Sequence, residues 1–114
     1  MKREEDALQS AVIKVFKLML PYAIIHHSPN EGNRGGKRGI IDGARRKKMG
    51  VLAGWPDTII INRGITYVVE TKPPSKYLSP IQKALRTKFE EQNLNYFVVQ
   101  TIDDAVDIAK IIKM

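Results

Sequence analysis

No cysteine occurs in the 114 residues. Disulfides and thiolate metal sites are therefore excluded, in keeping with a reducing compartment. No apolar run approaches the roughly 18–20 residues that a membrane helix requires, so no membrane association is expected. Gly32, Gly35 and Gly36 are not followed by the Lys-Ser or Lys-Thr of a phosphate-binding loop, which argues against a nucleotide cofactor. Histidine is scarce: His26 and His27 adjoin on a strand-like segment, so only one faces inward, and no third ligand is spaced for zinc. The opening Met1-Lys2-Arg3-Glu4-Glu5-Asp6 puts acids where a secretory leader is apolar, and a cytoplasmic protein is the expectation.

What the chain does have is positive charge. Nineteen Lys and Arg stand against twelve Asp and Glu, a formal charge of +7. Such an excess attracts polyanions, above all nucleic acid. Much of it lies in one stretch, with Arg34, Lys37, Arg38, Arg45, Arg46, Lys47 and Lys48 accompanied by the single acid Asp42. A cluster of this density reads as a phosphate contact, and Asn30 in the loop before it is a candidate to join it; a solvated basic loop is the alternative. Hydrophobic residues make up 43% and charged residues 27%, ordinary proportions for one globular domain, 1–114.

The patterning predicts an α/β chain. Leu8, Val12, Val15 and Met19 share one face of a helix over 3–20, stopped by Pro21, with Glu5 near the edge of that face. A short strand is predicted over 22–27, then a loop rich in turn residues, then a basic helix over 38–49 with Gly50 beyond its end. Residues 57–62 and 65–72 read as a hairpin turning at Arg63-Gly64 and stopped by Pro73-Pro74. Ser79-Pro80 opens a helix whose core face is predicted at Ile81, Leu85 and Phe89. A strand over 95–100 and a last helix, with Asp103 as its expected cap, complete the order. The helix between Lys72 and Asn95 is a crossover that sets strand 95–100 parallel to strand 65–72. A mixed sheet flanked by helices on both sides is the packing this order predicts.

The hairpin carries the chemistry. Asp57 opens its first strand and Glu70 nears the end of its second, so the turn brings their ends together. Glu70 and Lys72 are two residues apart and share a face. Two adjacent carboxylates repel, and one takes up a proton unless a cation intervenes. Hard oxygen ligands suit Mg²⁺ or Mn²⁺, and an ion there, beside a lysine, fits hydrolysis of a phosphodiester. Glu-x-Lys also occurs as an exposed ion pair. The continuous apolar runs Ile59-Ile60-Ile61 and Val68-Val69 argue instead that the hairpin is buried on both faces and its polar end faces a cleft. Gln82 is expected to face inward from the first turn of its helix. Trp55 and Tyr77 are candidates for base stacking, with buried packing favoured for Trp55.

Gly54-Trp55-Pro56-Asp57 followed by Glu70-Thr71-Lys72 resembles the PD-(D/E)XK nuclease superfamily. More narrowly, the chain resembles the VRR-NUC family, in the form of its small stand-alone phage and bacterial proteins. Glu5-Asp6-Ala7-Leu8-Gln9 is similar to that family's N-terminal helix motif and Pro29-Asn30-Glu31-Gly32 to its Asn-Gly loop. Residues 48–57 resemble its Gly-Val-x-x-Gly-x-Pro-Asp signature, and Leu78-Ser79-Pro80-Ile81-Gln82 its Leu-Ser-x-x-Gln motif. Trp55 stands where a smaller aliphatic residue is usual, and Thr71 replaces a commoner Val, Leu or Met. The resemblance implies a restriction-endonuclease-like fold and Mg²⁺- or Mn²⁺-dependent DNA cleavage, in a bacterial cell or a phage-infected host. It implies metal ligation by Asp57, Glu70, the Thr71 backbone carbonyl and Glu5, a catalytic Lys72, and a supporting Gln82. Together with the small size, it points to a homodimeric endonuclease acting on branched, Holliday-junction-like DNA. The alternatives are a basic DNA-binding module without catalysis and a sequence-specific restriction-type nuclease.

Overall fold

The computed structural model describes residues 2–28, 44–45, 48–50 and 52–114. Helix α1 (Lys2–Met19) leads into strand β1 (Ile24–His27); β2 (Thr58–Asn62) and β3 (Ile65–Thr71) form the hairpin; α2 (Pro80–Glu91), β4 (Asn95–Val99) and α3 (Ile102–Lys113) follow. The basic stretch falls mostly outside the described residues, among them Asn30, Arg34, Lys37, Arg38, Arg46 and Lys47. Of the basic helix expected over 38–49, Ala44, Arg45, Lys48 and Met49 are described, the first three as helical, and all four are exposed.

The four strands lie in the order β1-β2-β3-β4. The first two pairings are antiparallel and β3–β4 is parallel, as the crossover requires. Arg63 and Gly64 both have positive φ, 53° and 78°, the backbone of a two-residue hairpin turn whose twist matches the strands. This turn sets Thr58 opposite Val69. Asp57, one residue before Thr58, is thereby carried to the level of Glu70.

One face of the sheet bears Ile60, Tyr67, Val69 and Val99, packed on Val12, Phe16 and Leu20 of α1 and Ala105, Ile108, Ala109 and Ile112 of α3. The stripe expected on α1 is therefore shifted: Val12 keeps its place, Phe16 and Leu20 join it in the core, and Leu8, Val15 and Met19 flank them half-buried. The opposite face is covered by α2 at the β3–β4 side, where Leu85 is buried and Phe89 lies against Tyr96. The sheet is thus mixed, with helices on both sides.

Three expectations are corrected. The hairpin is buried on both faces only at its site end; near the turn Ile61, on the α2 side of the sheet, and Ile65, on the opposite side, are both exposed, because the helical cover thins toward the turn on each face. Ile81 is exposed and Gln82 takes the buried position in its place. The last helix is capped by Thr101, not Asp103. The Thr101 hydroxyl accepts from Asp104 N–H, and Asp104 reaches back to the Thr101 N–H, a reciprocal box that begins two residues before Asp103.

Candidate active site

Asp57 enters from the loop before β2. Gly54 shapes that loop: its φ is +78°, and a Cβ there would meet Ile81 Cγ2 at 2.8 Å and Gln82 N at 3.3 Å. The loop therefore lies directly on the first turn of α2. Its Trp55 packs edge-on against Phe89, with ring centroids 5.3 Å apart, yet remains partly exposed rather than buried as expected.

The Asp57 carboxylate is buried and held from several sides. Oδ2 accepts the Thr71 backbone N–H at 2.8 Å and, more weakly, Gln9 Nε2 at 3.4 Å. Oδ1 accepts the Thr58 hydroxyl at 2.8 Å. Having donated to Asp57, that hydroxyl can accept from His27 Nδ1, 3.3 Å away, in the Nδ1–H tautomer. Asp57 is thus locked to α1, β1, β2 and β3 at once.

Glu70 is only 2% exposed, and its Oε1 has no hydrogen-bond partner. Its pKa is pushed up to about 9, first by burial and then by the neighbouring Asp57 carboxylate; Lys72 opposes the shift, and Glu5 adds weakly to it. The expected convergence of Asp57, Glu70 and Lys72 is therefore present. Glu5 stands further off: among the described residues, no three His, Asp or Glu side chains are gathered closely enough to hold an ion. Glu5 is half-buried on the first turns of α1. Thr71 is buried, with its N–H committed to Asp57. Gln82 is buried, but its side-chain oxygen accepts the Ser79 N–H at 2.9 Å while Ser79 Oγ accepts from Gln82 N–H, so it serves the helix cap.

No family model matches the chain, and no curated protein does. Solved structures do. One described as a "VRR_NUC domain protein" is 28% identical, with a TM-score of 0.71, covering 95% of this chain and 86% of its own. Another, a "VRR_NUC domain", is 19% identical, with a TM-score of 0.64, covering 93% and 94%. The chain has the VRR_NUC fold. The resemblance read from the motifs thus extends to the three-dimensional structure over nearly the whole length.

Within this VRR_NUC fold, the sequence patterns assigned no site role to Gln9, Thr58, His27 or Tyr96. Gln9 lies one turn after Glu5 and was within reach of a helical-face argument. The other three bear on the site through cross-strand register, which no local pattern encodes.

The donor set is suited to a hard divalent cation. Two buried carboxylates face each other, one oxygen has no partner, and their mutual repulsion is what a cation relieves. Without one, Glu70 keeps a proton instead.

Proposed function

We propose that this protein is a Mg²⁺- or Mn²⁺-dependent DNA endonuclease whose site is built from Asp57, Glu70 and Lys72. The observation that carries the reading is the buried Asp57–Glu70 pair with its unpartnered Glu70 oxygen beside Lys72. Asp57 and Glu70 would hold the ion, with the Thr71 carbonyl as a further ligand and Glu5 acting through water. A divalent ion held there would supply Lewis acidity, lowering the pKa of a bound water and offsetting negative charge on a phosphate. Lys72, near Glu70, would supply a positive donor to a phosphate oxygen. Thr71 N–H, the Thr58 hydroxyl and Gln9 hold Asp57 in one orientation, and His27 steadies Thr58 in turn. Gln82 secures the first turn of α2, on which the Asp57 loop rests.

The substrate we favour is branched DNA, with the protein acting as a homodimer. The fold described carries a single site, whereas a symmetric pair would present two sites to two strands. The basic stretch from Arg34 to Lys48 supplies the phosphate contacts. The binding-module reading draws on one observation, that no third acid joins the pair among the described residues. Incubation with four-way junctions and linear duplex in Mg²⁺, Mn²⁺ or EDTA decides between them. Junction cleavage only with a divalent ion is expected; binding without cleavage under every condition favours the module.

A further inference from the structure

Among the described residues, two buried side-chain polar atoms lack a hydrogen-bond partner: Glu70 Oε1 and the Tyr96 hydroxyl. Buried polar groups are paired in the great majority of cases, so two such atoms on neighbouring strands require a reason. The strand register puts them on one face. Val68 is level with Tyr96 and Glu70 with Val98, and residues two apart on a strand share a side. The Tyr96 ring is fixed there, with Phe89 at 5.9 Å and the Arg86 guanidinium 5.4 Å over its centre. At 7% exposure its hydroxyl does not reach solvent freely. Of the charges around that hydroxyl, Glu70 acts on it most strongly and pushes its pKa further up, beyond the effect of burial. A phenol keeps its proton across the neutral range on its ordinary chemistry alone, so Tyr96 is a donor, the partner a buried carboxylate lacks.

We infer that Tyr96 is a positioning residue of the site, its hydroxyl donating to Glu70 Oε1, directly or through one water, when a divalent cation keeps Glu70 ionised. This rests on the cation-site reading above. A carboxylate oxygen has two lone pairs, so one can face the cation and the other a donor; such a donor fixes the ligand's orientation, and its loss commonly weakens metal binding by about 10- to 100-fold. The opposing view is that Tyr96 only fills the space under α2.

Mn²⁺ titration of purified wild type, Tyr96→Phe, Phe89→Leu and Asp57→Asn, followed by calorimetry and by thermal midpoint, separates these. Trp55, the single tryptophan, packs on Phe89 and so reports by its fluorescence whether the aromatic stack persists. Tyr96→Phe is expected to keep the wild-type emission and metal-free midpoint and to bind Mn²⁺ about tenfold more weakly. Phe89→Leu is expected to lower the midpoint and leave Mn²⁺ affinity in place. Wild-type affinity in Tyr96→Phe, or an equal loss in Phe89→Leu, overturns the role of the hydroxyl while the metal site stands. Absence of Mn²⁺ binding by the wild type, or undiminished binding by Asp57→Asn, overturns the metal site itself and this inference with it.

Discussion

Glu70 is the residue whose environment is least favourable to the charge it would carry in a metal site. Its folded pKa of about 9 lies above the ordinary 4.5. The folded state therefore holds a proton that the unfolded chain has lost, and stability falls as pH rises. The contribution is fully present below about 4.5 and is lost as pH passes 9. In EDTA, the thermal midpoint of the wild type is expected to drop between pH 5 and 9, and that of Glu70→Gln to change less over the same range. Mn²⁺ should restore the wild type at the alkaline end and leave Glu70→Gln unmoved. An equal pH slope in the two proteins would contradict the assignment. Lys72→Ala should keep the fold and lose about 10²–10³-fold in cleavage rate, read from single-turnover assays on a junction. Asp57→Asn should likewise abolish cleavage. These three residues were legible because a two-residue turn at Arg63-Gly64 dictates which residues meet at the far end of the hairpin. Gln9 on Asp57, His27 on Thr58 and Tyr96 beside Glu70 were not, since each depends on where a separate helix or strand docks.

Among the elements, the site depends on the loop carrying Asp57 lying flat on α2. Gly54 permits that approach both by its positive φ and by its missing Cβ. Gly54→Ala is expected to cost about 1–3 kcal/mol in denaturant unfolding and to impair cleavage, because Asp57 moves with the loop. Gly50→Ala is the control: its φ is +90° but nothing lies within 4 Å, so only the backbone penalty applies, about 1 kcal/mol. Equal losses at the two positions would mean that the approach to Ile81 and Gln82 is unimportant. The same approach explains why apolar periodicity misplaced Ile81. Its Cγ2 lies against Gly54 yet the residue stays exposed, while the cap turns the polar Gln82 inward. The cap of α3 was misread for a related reason. Thr101, Asp103 and Asp104 are all capping residues, and only the reciprocal bonds between Thr101 and Asp104 identify the start.

For the molecule as a unit, the hairpin and the parallel β3–β4 pairing followed from the sequence because a helical crossover between two strands leaves few topologies, whereas the place of β1 beside β2 did not, since a long connection separates them. Among the described residues, no helix is long and apolar enough to cross a membrane. The net charge of +7 sets the expectation for DNA. Replacing Arg45, Arg46, Lys47 and Lys48 by Ala should weaken junction binding. It should also flatten the plot of log affinity against log salt by roughly 0.9 for each phosphate no longer neutralised. An unchanged slope would place the DNA elsewhere. Light scattering of the protein with and without a junction is expected to give the mass of a dimer; a monomer in both samples would remove the two-site picture.

At the site, a divalent cation and a proton compete for the same buried carboxylate pair. Titration calorimetry with Mn²⁺ at about pH 7.5, repeated in buffers of different ionisation enthalpy, measures this competition. The expected result is one ion per chain with release of about one proton, the one held by Glu70, and neither in Asp57→Asn. Mn²⁺ bound without proton release, or bound equally by Asp57→Asn, would refute it.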